Sequence, residues 1–447
     1  MVTNIFKKLK TEAPFHIVKR TDIPRWKKWV IRLVTVLVSL LLCGIISSIL
    51  KPNSFGTFFD EMFKGTFSTP RRIVNLFQET AMLLCIALAV TPAFKMKFWN
   101  IGAEGQVLMG ALMCATCMRY MGGSVADPVI IIVALVASVA GGAVWGAIPA
   151  IFKAKWNTNE TLFTLMMNYI AMGLIAFIIT VWVPSGSGVV GIIRYGQFPR
   201  LGQYPYILNI IIVAVLVVIM YIYLRFSKHG YELSVVGESV NTAKYIGINV
   251  RKVIVRTMIL SGALCGIAGW LLVGGTSYTI STSIVAGRGF TAILISWLAH
   301  FNPIAMVISS FLIAFLSQGS MQAASTFGFG GSFPNIITAV FFFLVIASEF
   351  FISYRIKLRR KMNVEGEEIQ PSKLEKFDNS ITEFFANIEN KIFRLFTKRK
   401  TKTVADNSVA AVENECLQIP ATSQTDDLTA TIQNSDCAEV SDKEVQE

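Results

Sequence analysis

Apolar residues along this chain gather into blocks of about 20 with almost no charge inside them, the length an α-helix needs to cross a bilayer. An amphipathic helix of a soluble protein would carry a polar stripe at helical spacing, and most of these blocks carry none. They fall at 29–50, 73–94, 99–118, 128–151, 161–183, 205–224, 253–273, 288–300, 303–320 and 335–354. The pattern predicts an all-α polytopic membrane protein with about ten transmembrane helices. Two blocks are irregular: 99–118 holds Asn100 and Glu104, and 288–300 is too short to span alone. Both are expected to be broken or re-entrant segments, which a membrane tolerates only where protein or a water-filled path shields the backbone.

Composition agrees with the pattern, since 53% of residues are apolar and only 15% charged. The net charge is +13, with residues 1–361 holding 32 Lys and Arg against 11 Asp and Glu. These cations sit at the ends of apolar blocks, where positive-inside topology puts them, so no nucleic-acid partner is expected. With the N-terminus inside, cytoplasmic segments hold 22 of the cations and outside loops 8. That bias predicts both termini in the cytoplasm and favours an even number of crossings. Cys43, Cys85, Cys114, Cys117 and Cys265 lie within apolar blocks and read as small buried hydrophobes.

Four regions result: a cytoplasmic N-terminal segment 1–28, a membrane domain 29–354, a basic and amphipathic juxtamembrane segment 355–400, and an acidic tail 401–447. Within 381–397 the aromatic and aliphatic residues recur at helical spacing beside Lys391 and Arg394, as in a helix lying on an anionic leaflet. The tail is polar and acidic, a composition that predicts disorder.

Chemistry-bearing motifs are absent. The chain has no phosphate-binding loop of the Gly-x-x-x-x-Gly-Lys type, no zinc-protease motif and no nucleophile elbow. An enzyme is not expected, nor a cofactor or metal on this chain. Polar residues at membrane depth stand out instead. Asn100, Glu104 and Gln106 open one apolar block, beside Gly102 and Gly105. Intramembrane ionisable groups are functional candidates by default, although Glu104 equally suits the positive end of a helix dipole. Asn159 and Asn168 lie two and a half turns apart and serve either a solute or helix–helix hydrogen bonding. The Gly287-Arg288-Gly289 opening of the 288–300 block parallels the glycine-rich opening at 100–110. Paired interrupted segments are the best sequence pointer to a transport site. Trp297, like Trp99, offers a stacking face or a packing one.

The cytoplasmic loop 225–252 is a candidate docking surface. Asn241 is expected to cap a short amphipathic run through Tyr245 that Gly247 ends.

At these stretches the chain resembles the permease subunits of bacterial ABC importers of the branched-chain amino acid/ribose superfamily, and within it the nucleoside or simple-sugar subgroup that works with a basic-membrane-protein lipoprotein. The matching residues are Asn100–Gly110, Asn159–Leu162 with Thr164, Met166–Ala171, Ala243–Asn249 and Gly287–Ile293, in an order that covers about 70–350. The resemblance implies a multi-pass subunit of a bacterial plasma membrane that carries nucleosides by alternating access. It implies a second permease subunit, an extracytoplasmic solute-binding lipoprotein and a separate ATPase that binds ATP and Mg2+. It also implies that Gly237, Glu238, Asn241, Ala243, Tyr245 and Gly247 belong to the loop that couples to the ATPase. The subgroup commonly has Gly-x-Asn where this chain has Gly237-Glu238-Ser239. The alternatives are a ribose-like sugar permease and a secondary transporter that runs without ATP.

Overall fold

Thirteen α-helices follow one another between two short strands in the computed structural model, which describes residues 15–19, 25–52, 55–183 and 190–358. In chain order these are β1 (Phe15–Lys19), α1 (Arg25–Leu50), α2 (Phe55–Phe67), α3 (Pro70–Lys95), α4 (Ala103–Met121), α5 (Asp127–Trp156), α6 (Glu160–Trp182) and α7 (Ile207–Phe226). Then come α8 (Lys228–Glu238), α9 (Val240–Tyr245), α10 (Val250–Leu272), α11 (Arg288–Leu298), α12 (Pro303–Phe327), α13 (Phe333–Ser353) and β2 (Tyr354–Leu358). The amphipathic run at 381–397 and the acidic tail lie outside the described residues.

Each of the ten apolar blocks forms a helix where the sequence predicts one. Among the described residues, eight helices are long and apolar enough to cross a membrane: α1, α3, α5, α6, α7, α10 with its π-helical continuation Val273–Ser277, α12 and α13. The other two are α4, whose first turn is polar, and α11, whose 11 residues reach only about 16 Å at 1.5 Å per residue.

Two features depart from the sequence expectation. Residues 55–67, read as part of an outside loop, form α2, because Phe58, Met62 and Thr66 recur every four residues and bury one face. That face packs on α12, where Gly65 leaves room for Gln322 and Gly319 for Met62. The second is one short antiparallel ribbon that flanks the otherwise all-helical domain, with Phe15 opposite Leu358 and Lys19 opposite Tyr354. It ties the chain just before α1 to the chain just after α13.

Burial ranks the helices. Every residue of α3 from Thr80 to Phe94 is buried, so this helix runs through the centre of the bundle. Around it, α5 and α10 cross so closely that their backbones touch. A Cβ on Gly142 would stand 2.2 Å from the Gly262 carbonyl oxygen, and one on Gly266 2.2 Å from that of Ser138. Gly142 and Gly146 on one helix and Gly262 and Gly266 on the other form small-xxx-small stripes, which let helices approach where no hydrophobic driving force exists between them. On α4, Gly110 meets Gly266 in the same way. The outer faces of α5 and α7 are long, apolar and mostly exposed, as lipid-facing helices are.

Candidate functional site

The chain leaves α3 at Lys95 and does not resume a helix until Ala103. Met96, Phe98, Asn100 and Gly102 of this break are buried, so backbone groups there need partners other than water. Side chains from α6 supply them. The Asn168 amide donates to the Ile101 carbonyl (2.9 Å) and accepts from the Gly105 N–H (2.8 Å), while the Thr164 hydroxyl accepts from the Ile101 N–H (3.2 Å). The Gly105 N–H is one of the orphan donors of the α4 N-terminus. Asn100 and Gln106 pair their amides with each other at 3.3 Å. Asn100 also donates to Ser261 on α10 and accepts from the Gly102 N–H. All of Asn100, Gln106 and Asn168 are buried.

Glu104 lies in the first turn of α4 but spends its two carboxylate oxygens on another helix. Oε1 accepts from the Gly287 N–H and Oε2 from the Gly289 N–H, both at 2.8 Å, at the start of α11. One carboxylate thus sits at two helix N-termini, each with a partial positive charge. No larger residue fits at 289, since a Cβ there would stand 2.6 Å from Glu104 Oε2 and 2.7 Å from its backbone nitrogen. Arg288, between the two glycines, reaches Glu79 on α3 in a forked pair with contacts of 2.8 to 3.1 Å. The geometry therefore joins the two interrupted segments directly, and it adds Glu79, Arg288 and Ser261, which sequence spacing did not single out as a group.

A second buried cluster lies on the neighbouring turn of α3. Gln78 donates to the Thr276 hydroxyl (2.8 Å), and so does Asn209 of α7 (3.2 Å). The carbonyl oxygens of Gln78 and Asn209 have no hydrogen-bond partner.

The remaining candidates separate. Asn159 is exposed and caps α6, accepting from the Thr161 and Leu162 N–H groups at 3.1 and 3.3 Å. Trp297 is 45% exposed and stands with its ring 5.2 Å from that of Trp99, with Phe94 edge-on to both. These rings wall a cavity of about 670 Å³ whose polar rim is Lys97, His300 and Glu349. Arg32 holds that rim, 3.0 Å from Glu349 and 2.7 Å from His300.

The loop 227–249 forms α8 and α9. Ser239 caps α9, its hydroxyl accepting from the Thr242 N–H at 3.2 Å. This corrects the expectation for Asn241, which is exposed two residues inside the cap. Ser239 has the extended backbone that a cap requires, at φ −153° and ψ 118°. Gly247 follows the helix at φ +83°, the left-handed turn that ends it. Gly237 lies flat on α3, and a Cβ there would stand 2.2 Å from the Lys95 carbonyl oxygen. Glu238 is exposed and Ala243 buried. Tyr245 is 92% exposed, and Val240 and Ile246 stand out beside it. At the root of the loop Arg256 of α10 binds Glu232 at 2.8 Å and holds its carboxyl below the usual carboxylate range.

Comparison with known proteins bears on both regions. Residues 72–348 match the family described as branched-chain amino acid transport system / permease component. The guanosine ABC transporter permease protein NupP of Bacillus subtilis is 27% identical, over 76% of this chain and 99% of its own length. The nucleoside ABC transporter permease protein NupB of Lactococcus lactis is 24% identical, over 78% and 98%. The glucose ABC transporter permease protein TsgB13 of Haloferax volcanii is 25% identical, over 75% and 92%.

Proposed function

This chain belongs to the branched-chain amino acid transport system / permease component family, and on that footing we propose that it moves nucleosides inward as the membrane subunit of an ATP-driven importer. It is a multi-pass plasma-membrane permease subunit and not an enzyme. The observation that carries the proposal is the α8–α9 tip. It presents exposed Val240, Tyr245 and Ile246 on a short helix fixed from behind by buried Ala243 and by Gly237 against α3. An apolar knob on a rigid base is a docking element, and exposed aromatic residues are characteristic anchors of interfaces. Its partner is a separate ATPase that binds ATP and Mg2+.

The Lys and Arg bias supports a cytoplasmic position for this tip and for both termini. The β1–β2 ribbon supports an even number of crossings, because it holds the start of α1 beside the end of α13. A second permease subunit and a lipid-anchored solute-binding protein outside the cell complete the assembly.

Similarity to guanosine and nucleoside permeases favours a nucleoside as the solute. The Trp99–Trp297 pair supports this, offering aromatic faces to a base beside the polar groups of Lys97 and Glu349. Asn100, Gln106 and Asn168 act from behind the path, holding the break between α3 and α4. Asn159 fixes the start of α6. Glu104 and the Glu79–Arg288 pair are the contacts that any movement of α11 against α3 and α4 has to break or carry along.

Uptake into proteoliposomes that contain the complete importer tests the reading. Unlabelled guanosine and adenosine should compete with labelled guanosine, and ribose and glucose should not. Competition by the sugars alone would replace the nucleoside reading with a sugar permease. Uptake that survives vanadate would remove the ATPase from the account.

A further inference from the structure

A groove of about 510 Å³ opens between the last turn of α5 and the first turns of α10, at the end of the bundle that carries α8 and α9. Its two levels differ in chemistry. The lower wall is apolar and includes Ile151 and Ile259, both exposed on the sides of helices that cross the membrane. The upper wall is basic, with Lys155, Arg251, Lys252 and Arg256.

Two other cations at this end are already engaged. Lys153 binds Glu160 at 2.7 Å, and Lys95 donates to the Leu224 carbonyl. Among the described residues, no ion pair engages Lys155, Arg251 or Lys252. Arg256 uses Nη2 for Glu232, while its Nε has no partner. The groove thus collects four positive charges against one negative charge, directly above an aliphatic wall.

We infer that this groove binds one anionic phospholipid, its phosphate against Lys155, Arg251 and Lys252 and an acyl chain along Ile151 and Ile259. The pairing of levels selects this occupant. A free phosphate has no use for the aliphatic wall, and an acidic protein segment has none for a wall that continues into the lipid-facing surface. Basic pockets between transmembrane helices at the inner face are suited to acidic headgroups. Lipid held here bridges α5 to α10 beside the Arg256–Glu232 pair at the root of α8, so its loss would be felt at the tip.

The test uses the full chain in detergent micelles and measures binding of phosphatidylglycerol, phosphatidylcholine and inorganic phosphate. Wild type should bind phosphatidylglycerol in preference to phosphatidylcholine, and excess inorganic phosphate should not displace it. The triple variant Lys155→Gln, Arg251→Gln, Lys252→Gln should lose about a hundredfold in affinity for phosphatidylglycerol, each cation near a membrane surface contributing roughly fivefold. All three side chains are exposed, so its melting temperature without lipid should match wild type. The control Lys97→Gln, Lys228→Gln, Lys244→Gln removes the same charge elsewhere and should bind as wild type does. Equal binding by the triple variant and wild type would overturn the inference. So would equal loss in the control, displacement by inorganic phosphate, or a triple variant that loses the ATPase but keeps the lipid. None of these outcomes depends on which solute is transported.

Discussion

At the joint of α3, α4, α6 and α11, polar side chains are buried and partnered; at the α8–α9 tip, apolar side chains stand exposed. The joint holds Asn100, Gln106, Asn168 and Glu104, each spending its hydrogen bonds on the protein's own backbone or on another side chain. The tip holds Tyr245, which is 92% exposed. A residue out of character with its surroundings therefore means opposite things in the two places. Inside, polarity closes an interruption of the helix ladder, because unpaired groups there cost free energy. Outside the membrane spans, an open apolar tip is the surface proposed to dock the ATPase.

The sharpest way to break that contrast is to remove a polar group from the joint. Glu104→Ala leaves the Gly287 and Gly289 N–H groups without their acceptor, and charge-assisted bonds contribute about 1.5–3 kcal/mol each. We expect it to give the largest loss of melting temperature and of folded yield, measured on the detergent-purified chain. Asn168→Ala strands one buried donor and one buried acceptor, and should cost about 1–3 kcal/mol in the same measurement. At the tip the pattern should invert. Tyr245→Asp should leave stability within about 0.5 kcal/mol, as exposed substitutions do. It should also cut transport at least about tenfold, as removal of an interface anchor does.

The smallest effect is at the root of the tip. Arg256 holds the Glu232 carboxyl below its ordinary range, so this pair stabilises the fold above the unfolded carboxylate pKa of about 4.3. That contribution is lost as pH falls through the lower folded value. Near neutrality this contribution is fully present and flat with pH, so melting temperature should decline only in acid, and Glu232→Gln should remove part of that acid decline.

The two regions were legible to different degrees. Helix positions were readable because hydropathy and length act locally, and every predicted block holds a helix. That α4 and α11 are irregular was readable from Glu104 and from the short run after Arg288. What Glu104 holds was not, because Gly287 lies 183 residues away and no local pattern encodes the pairing. Separation along the chain likewise hid the partners of Asn168 on the break, 63 and 67 residues away, and the pairing of Phe15–Lys19 with Tyr354–Leu358. At the tip the helix and its glycine stop are readable, yet the sequence points to Asn241 as the cap and the structure has Ser239 there. Both residue types can cap, and only backbone conformation separates them. The stripes Gly142, Gly146 and Gly262, Gly266 carried a signal at four-residue spacing that helix-by-helix hydropathy passes over.

ATP hydrolysis by the reconstituted importer, followed as guanosine is added with the binding protein present, tests the central claim most directly. The account predicts that guanosine stimulates hydrolysis with the wild-type chain. With Tyr245→Asp, at unchanged melting temperature, the stimulation disappears. Full guanosine-stimulated hydrolysis with the Tyr245→Asp chain would contradict the role given to the tip.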